Sequence, residues 1–190
     1  MGLHLGDIRR LGVPVVLYGH STGALMALTY VVDDRPAPDL LVLSAPLLHS
    51  DITPFKQLLA RILGPLLPFV RLSPELGEEH LARDPEVGRA YLADPLVETR
   101  WTVGLGAEML RGMRRAEDLP DRMPIPTLVL HGSEDRVADP AATATLAGMP
   151  GVERKLFEGF RHEIHNEDGG TAVIDALAEW IDRQIPDQTE

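Results

Sequence analysis

Val13-Pro14-Val15-Val16-Leu17-Tyr18-Gly19-His20-Ser21-Thr22-Gly23-Ala24-Leu25-Met26-Ala27-Leu28 is the stretch on which the reading of this chain turns. An apolar run, expected as a strand over 14–18, leads into Gly19-x-Ser21-x-Gly23, and a helix is expected over 22–33. Strand, sharp turn and helix is the context in which G-x-S-x-G lifts a serine hydroxyl above a sheet from a strained backbone. Strand and helix approach closely there, so a Cβ at 19 or at 23 is expected to clash and glycine stands at both. Ser21 is therefore a candidate nucleophile. The plainer alternative is a glycine-containing turn with Ser21 as a helix N-cap. What separates the two is whether a base and an orienting acid follow at the ends of later strands.

Such groups do follow. Leu40-Leu41-Val42-Leu43-Ser44 and Thr127-Leu128-Val129-Leu130-His131 are continuously apolar, as is the run at 14–18. Parallel strands read this way when helices cover both faces. The strand at 127–131 runs into the acidic loop Gly132-Ser133-Glu134-Asp135-Arg136-Val137. A further strand, Val152–Phe157, is followed by Gly159-Phe160-Arg161-His162-Glu163-Ile164-His165-Asn166-Glu167. Helices are expected between and after the strands, over 22–33, over 139–147 with Asp139 as N-cap and Pro140 at the first position, and over 170–184. Alternating strands and helices predict an α/β fold built on a parallel sheet. The chain order serine, acid, histidine belongs to the α/β-hydrolases and differs from the two well-known protease orders.

Gly19-His20-Ser21-Thr22-Gly23, the strand Leu41–Pro46, His131-Gly132-Ser133-Glu134-Asp135-Arg136-Val137 and residues 159–167 together resemble the monoacylglycerol lipase and lysophospholipase branch of the α/β-hydrolases, over nearly the whole chain. One departure is Ala24, where that family has glycine. The resemblance implies a serine hydrolase acting on carboxylic esters of monoacylglycerol or lysophospholipid type through an acyl-enzyme, without a cofactor or metal. It maps the nucleophile to Ser21, the acid to Asp135 and the base to His162. One oxyanion donor maps to the backbone N–H of Thr22, directly after the nucleophile. The second donor comes in that family from a loop upstream of the elbow, together with about four further strands that would precede residue 1. The chain is thus expected to hold the C-terminal portion of the fold, and the strand before the elbow to leave an open sheet edge prone to self-association. The rival expectation is a catalytically impaired remnant that serves as a binding or assembly module.

The residues themselves leave competitors at two positions. His162 and His165 both follow the last strand, and His162 matches the family position. Glu134, Asp135 and Asp139 share the acidic loop; Asp135 fits the family register, and Asp139 is placed to cap the helix after it. Serine needs a base within hydrogen-bond reach, and the base needs a group that fixes its tautomer. His20 is expected to pack in the elbow or bond a backbone group, and His131 to be a core or supporting histidine. His4, His49 and His80 are given no role. His162-Glu163-Ile164-His165 has the wrong spacing for the zinc motif H-E-x-x-H, which needs its histidines four apart.

Residues 45–126 separate two neighbouring strand candidates, far more than the dozen or so that a crossover needs. Residues 47–122 are therefore expected as a helical cap inserted into a core of 1–46 and 123–190. Phe55, Leu58, Leu59, Ile62, Leu63 and Leu66 fall on one helical face. A second helix is expected from the Asp84 cap and Pro85 to about Ala93, and a third around 100–116. The apolar face suits an acyl chain, a transient membrane-surface contact, or simple packing on the sheet domain.

A length of 190 residues fits one domain, and 44% hydrophobic with 25% charged residues is a globular composition. With no cysteine there is no disulfide framework. A net charge of −11 argues against nucleic acid and against standing attachment to anionic lipid. No basic-then-apolar leader is visible and no run reaches the ~18 apolar residues of a membrane span, so a soluble cytoplasmic protein is expected.

Overall fold

The computed structural model describes residues 2–33, 35–49, 53–72, 77–119 and 121–185, with backbone alone for Gly2, Leu3, His4, Pro54 and Lys56. In chain order the elements are α1 (Gly2–Arg9), β1 (Val16–His20), α2 (Thr22–Val32), β2 (Leu40–Ser44), α3 (Pro54–Leu66), β3 (Arg71–Leu72), α4 (Glu78–Leu81) and α5 (Pro85–Ala93). There follow β4 (Trp101–Thr102), α6 (Val103–Glu117), β5 (Thr127–Gly132), a 3-10 turn at Pro140–Thr143, α7 (Ala144–Ala147), β6 (Val152–Phe157) and α8 (Thr171–Gln184).

Four strands form a parallel sheet in the order β1-β2-β5-β6. β2 shows why such a strand reads as unbroken apolar sequence. Leu41 and Leu43 join one buried cluster with α2 and α6, while Leu40 and Val42 join a second with α8. Every residue of β2 and β5 is buried. Burial on both faces removes any reason for alternation. Within the second cluster Trp180 of α8 packs with Leu128, Leu130 and Ile164, so the C-terminal helix supports the loop that carries the histidines.

β1 starts two residues later than the expected 14–18. Its register pairs Val16 with Leu40 and runs on to pair His20 with Ser44, so the motif's first two residues are strand. Val15 N–H goes to the Asp39 carboxylate at 2.7 Å instead of to the sheet, and Pro14 has no N–H to give. The helix expected over 139–147 is broken into a 3-10 turn and α7. The Pro140 carbonyl, which a continuous helix would use, accepts from Thr143 Oγ1 and Arg154 Nη2. The Ala144 N–H bonds Ala141 O instead.

The inserted segment begins at a helix whose apolar face is turned to solvent. Phe55 is 72% exposed and Leu66 70%, with Leu58, Leu59 and Ile62 exposed as well. This face does not pack on the sheet domain, because α3 meets α6 through small residues. Gly64 lies so close that a Cβ there would stand 2.6 Å from the Ala107 Cβ. α6 in turn sends Met109, Leu110 and Met113 into the cluster formed by α2 and β2. The two-residue strands β3 and β4 pair antiparallel and draw the ends of the α3–α6 connection together. Among the described residues no helix is long and apolar enough to cross a membrane.

Candidate active site

Ser21 stands at the junction of β1 and α2 with φ 54° and ψ −120°, a conformation that costs energy for a residue with a side chain. Hydrogen bonds hold it there. Its N–H donates to Ser44 O at 2.9 Å, and its carbonyl accepts from Ala24 N (3.0 Å), Leu25 N (3.2 Å) and Leu47 N (3.3 Å). Position 19 has to be glycine, since a Cβ there would stand 2.5 Å from Gly23 O and 2.7 Å from Ala24 Cα. Position 23 differs from expectation: a Cβ on Gly23 would meet nothing within 4 Å. The crowding is one-sided, because the helix backbone leans over the strand while Gly23 itself points outward. Thr22 opens α2, so its backbone N–H belongs to a helix N-terminus beside the Ser21 side chain.

The loop after β5 places Asp135 beneath the sheet's carboxyl end with its side chain fully buried. Oδ1 accepts from the N–H groups of Val137 (2.8 Å) and Ala138 (2.9 Å). Oδ2 faces His162 Nδ1 at 2.8 Å and His131 Nε2 at 3.0 Å. His131 Nε2 also lies 3.1 Å from Ala138 O, so two acceptors face it and it carries the proton. Burial pushes the Asp135 carboxyl up, but the hydrogen bonds from His131 and His162, the His162 charge and the Ala138 N–H outweigh it. The carboxyl is held well below the usual range. Asp135 is thus a fixed anion that keeps the His162 proton on Nδ1.

His162 Nε2 is left to accept, and Ser21 Oγ lies 2.9 Å away. Serine, histidine and aspartate are brought together from the ends of β1, β6 and β5. His165 is not brought to the serine; its Nε2 lies 3.5 Å from Glu163 Oε2. Of the other acids, Glu134 is exposed and Asp139 caps the following turn through Ala141 N at 2.8 Å. His131 supports the site as expected. His20 does not bond a backbone group: its Nδ1 lies 3.0 Å from Ser44 Oγ and its Nε2 3.3 Å from Glu163 Oε1.

Two buried carboxylates beside the base, Glu163 and Glu167, carry no role in the sequence analysis beyond the rejected zinc spacing around Glu163. Glu167 accepts from Arg161 N (2.9 Å), Arg83 N (3.1 Å) and Arg83 Nε (3.0 Å), tying the inserted segment to the histidine loop. In sequence both look like part of a solvated acidic loop. The signal that could have singled them out is their interleaving with His162 and His165 in a segment too short to expose every polar group.

Fold and site define the class: an α/β-hydrolase fold carrying a serine at a strand–helix elbow, within reach of a histidine and a buried aspartate. The family described as Serine aminopeptidase, S33, matches residues 6–169, and the chain belongs to that family. It is 31% identical over 182 residues to the monoacylglycerol lipase of Mycolicibacterium smegmatis, covering 89% of this chain and 62% of that protein. It is 30% identical to human monoglyceride lipase, covering 91% of this chain and 60% of the relative. The chain therefore spans about three fifths of the length of these two relatives. In three dimensions it is similar to the monoacylglycerol lipase of Paleococcus ferrophilus, with a TM-score of 0.87, 30% identity, and coverage of 96% of this chain and 74% of that one.

Proposed function

We propose that this chain carries the catalytic residues of an ester hydrolase acting on lipid monoesters of monoacylglycerol or lysophospholipid type. Ser21 Oγ attacks the ester carbonyl while His162 Nε2 takes its proton; Asp135 holds the imidazole and stabilises the imidazolium. The tetrahedral oxyanion is received by the Thr22 N–H, and collapse releases the alcohol with the proton returned by His162. Water then repeats the sequence on the acyl-enzyme. The observation that carries this reading is the pair of contacts at 2.9 and 2.8 Å around His162, set on a strained serine. Lipid substrates are supported by similarity to the named lipases and by the apolar face of α3.

The same reading assigns residues 47–122 as a cap, whose exposed face on α3 makes transient contact with a lipid surface. It also takes the free side of β1 as a place for pairing with another strand, including that of a second copy. Among the described residues β1 pairs with β2 alone. The deciding experiment is labelling with a fluorophosphonate probe followed by peptide mapping. The adduct is expected on Ser21 and not on Ser44 or Ser133. Folded protein that stays unlabelled would favour the rival reading of an inactive binding module, and sedimentation of the same sample reads the pairing at β1.

A further inference from the structure

Glu163 follows His162 directly and is only 5% exposed, yet acyl transfer as written above makes no use of it. Its backbone N–H donates to Leu81 O at 2.8 Å. Its side chain has His20 Nε2 at 3.3 Å from Oε1, His165 Nε2 at 3.5 Å from Oε2, and Asn166 Nδ2 donating to Oε2 at 2.9 Å. The His20 ring centroid lies 5.0 Å from that of His162 and 5.2 Å from that of His165. One buried carboxylate thus stands among three histidines, and only His162 reaches Ser21. A buried carboxylate costs several kcal/mol in desolvation unless it is used or compensated.

We propose that Glu163 is a positioning residue for the base: a fixed negative charge, mounted on His20 and Asn166, that stabilises the imidazolium formed when His162 takes the Ser21 proton. This rests on the hydrolase reading above. Asp135 grips Nδ1 of the same ring, and the Glu163 carboxylate reaches it through His20, whose ring packs 5.0 Å from that of His162. Burial pushes the Glu163 carboxyl up, but His20, with Nε2 3.3 Å from Oε1, and the charges of His165 and His162 bring it below its ordinary value, so it is charged at neutral pH.

The other titratable groups around it do not cancel that charge. Tyr18 of β1 is pushed up by burial and by Glu163 against a hydrogen bond with Ser44, and Tyr91 of α5 by burial and Glu163. Both phenols are neutral. His165 is pushed down by burial and by the charge of His20, against the pull of Glu163. His20, from β1, makes the closest histidine contact with the carboxylate.

The test is a histidine Cε1–H NMR titration of the whole chain, with the His162 signal assigned by its loss in His162→Ala. A nearby opposite charge favours the protonated imidazole and shifts its titration by about one unit or more. The His162 midpoint is therefore expected to move to lower pH by about one unit in Glu163→Gln, so that about tenfold more protons are needed for half-titration, and to stay near wild type in Glu163→Asp, which keeps the charge. In the ester assay the acid limb of kcat/KM moves to lower pH by the same amount while KM holds. An unmoved midpoint in folded Glu163→Gln overturns the proposal. Should that variant not fold, the coupling is read from its other end: in His162→Ala the Glu163 carboxyl, followed by carbon-13 NMR, is expected to titrate at higher pH than in wild type, and an unmoved carboxyl midpoint overturns the proposal. Wild-type protein that takes no fluorophosphonate label, yet shows the Glu163→Gln shift, would sink the hydrolase reading and leave this coupling standing.

Discussion

Gly132→Ala perturbs the base without touching it. Gly132 ends β5, and a Cβ there would stand 2.3 Å from Phe160 O and 2.4 Å from Arg161 O, both backbone atoms of the loop leading into His162. Ordinary contact needs roughly 3.4 Å, so strand and loop have to part by about 1 Å. The loop cannot yield cheaply. Phe160 O accepts from Glu134 N at 2.9 Å, Ser133 N donates to Phe157 O at 3.0 Å, and Ser133 Oγ accepts from Gly159 N at 2.8 Å. Overpacking of this kind costs about 1–3 kcal/mol. A displacement of about 1 Å passed on to His162 takes its 2.9 Å contact with Ser21 out of hydrogen-bond range, which lowers kcat on the order of 10²-fold. The assay is hydrolysis of a chromogenic ester together with a thermal melt. Gly148→Ala is the control, because a Cβ at 148 meets nothing within 4 Å. A Gly132→Ala protein with the melting temperature and kcat of the Gly148→Ala control would refute the reasoning and show that the loop floats free of β5.

His162→Ala is expected to lower turnover on the order of 10⁴-fold or more, while His165→Ala keeps most activity; the reverse ranking in the ester assay would move the base by one helical turn. Across an ester series from acetate to octanoate, kcat/KM is expected to rise, since each buried methylene contributes ~0.8 kcal/mol; a flat series would leave the α3 face without a role in substrate binding. Asp135 and Glu163 are both held below the values of 3.8 and 4.5 that an unfolded chain would show. The folded state therefore binds fewer protons, and the stability these groups supply is complete above those values and drains away as pH falls through the lower, folded ones. Urea midpoints are expected to fall steadily below about pH 4.5, and a flat profile down to about pH 3 would contradict the shifts.

The sheet was legible because a strand buried on both faces leaves an uninterrupted apolar run; Leu40–Ser44 lies where that pattern puts it, and β5 runs one residue past the expected 127–131. β1 was misplaced by two residues because its boundary is set by pairing with β2 and by the Asp39 carboxylate, neither of which a local pattern contains. The elbow was legible through Gly19, whose clash is with its own neighbouring turn; the excess expectation at Gly23 came from ignoring the direction in which that Cβ points. The outward turn of Phe55 and Leu66 was not legible, since a helical periodicity says which residues share a face but not which face its neighbour takes. The small residues Ala60 and Gly64 decide that, and they carry little weight in a hydrophobic pattern. Glu163 and Glu167 escaped notice because burial of an acidic side chain depends on partners far away in sequence, here His20 and Arg83.

Those distant partners change what the inserted segment is. Arg161 Nη1 donates to Glu79 O at 2.6 Å and Ala82 O at 3.0 Å, Glu163 N donates to Leu81 O, and Glu167 holds Arg83 through both its backbone and its side chain. Residues 79–83 therefore grip the chain on both sides of His162. A rigid lid swinging away as one piece would drag these bonds with it and pull the base from Ser21. Opening that spares the base has to leave residues 79–83 in place and move α3, whose apolar outer face is exposed. On the proposed reading the segment has two parts with different mechanical duties: α4 and the residues after it form part of the mount of the base, and α3, with its exposed apolar face, is the part that would meet a lipid. Arg83→Ala separates them. It removes the side-chain half of the Glu167 clasp, so it is expected to lower kcat with little change in KM, whereas Phe55→Ser on α3 is expected to raise KM for long-chain esters and leave kcat on short ones alone. An Arg83→Ala protein whose only defect lies in KM would place α4 with the lid and undo the division.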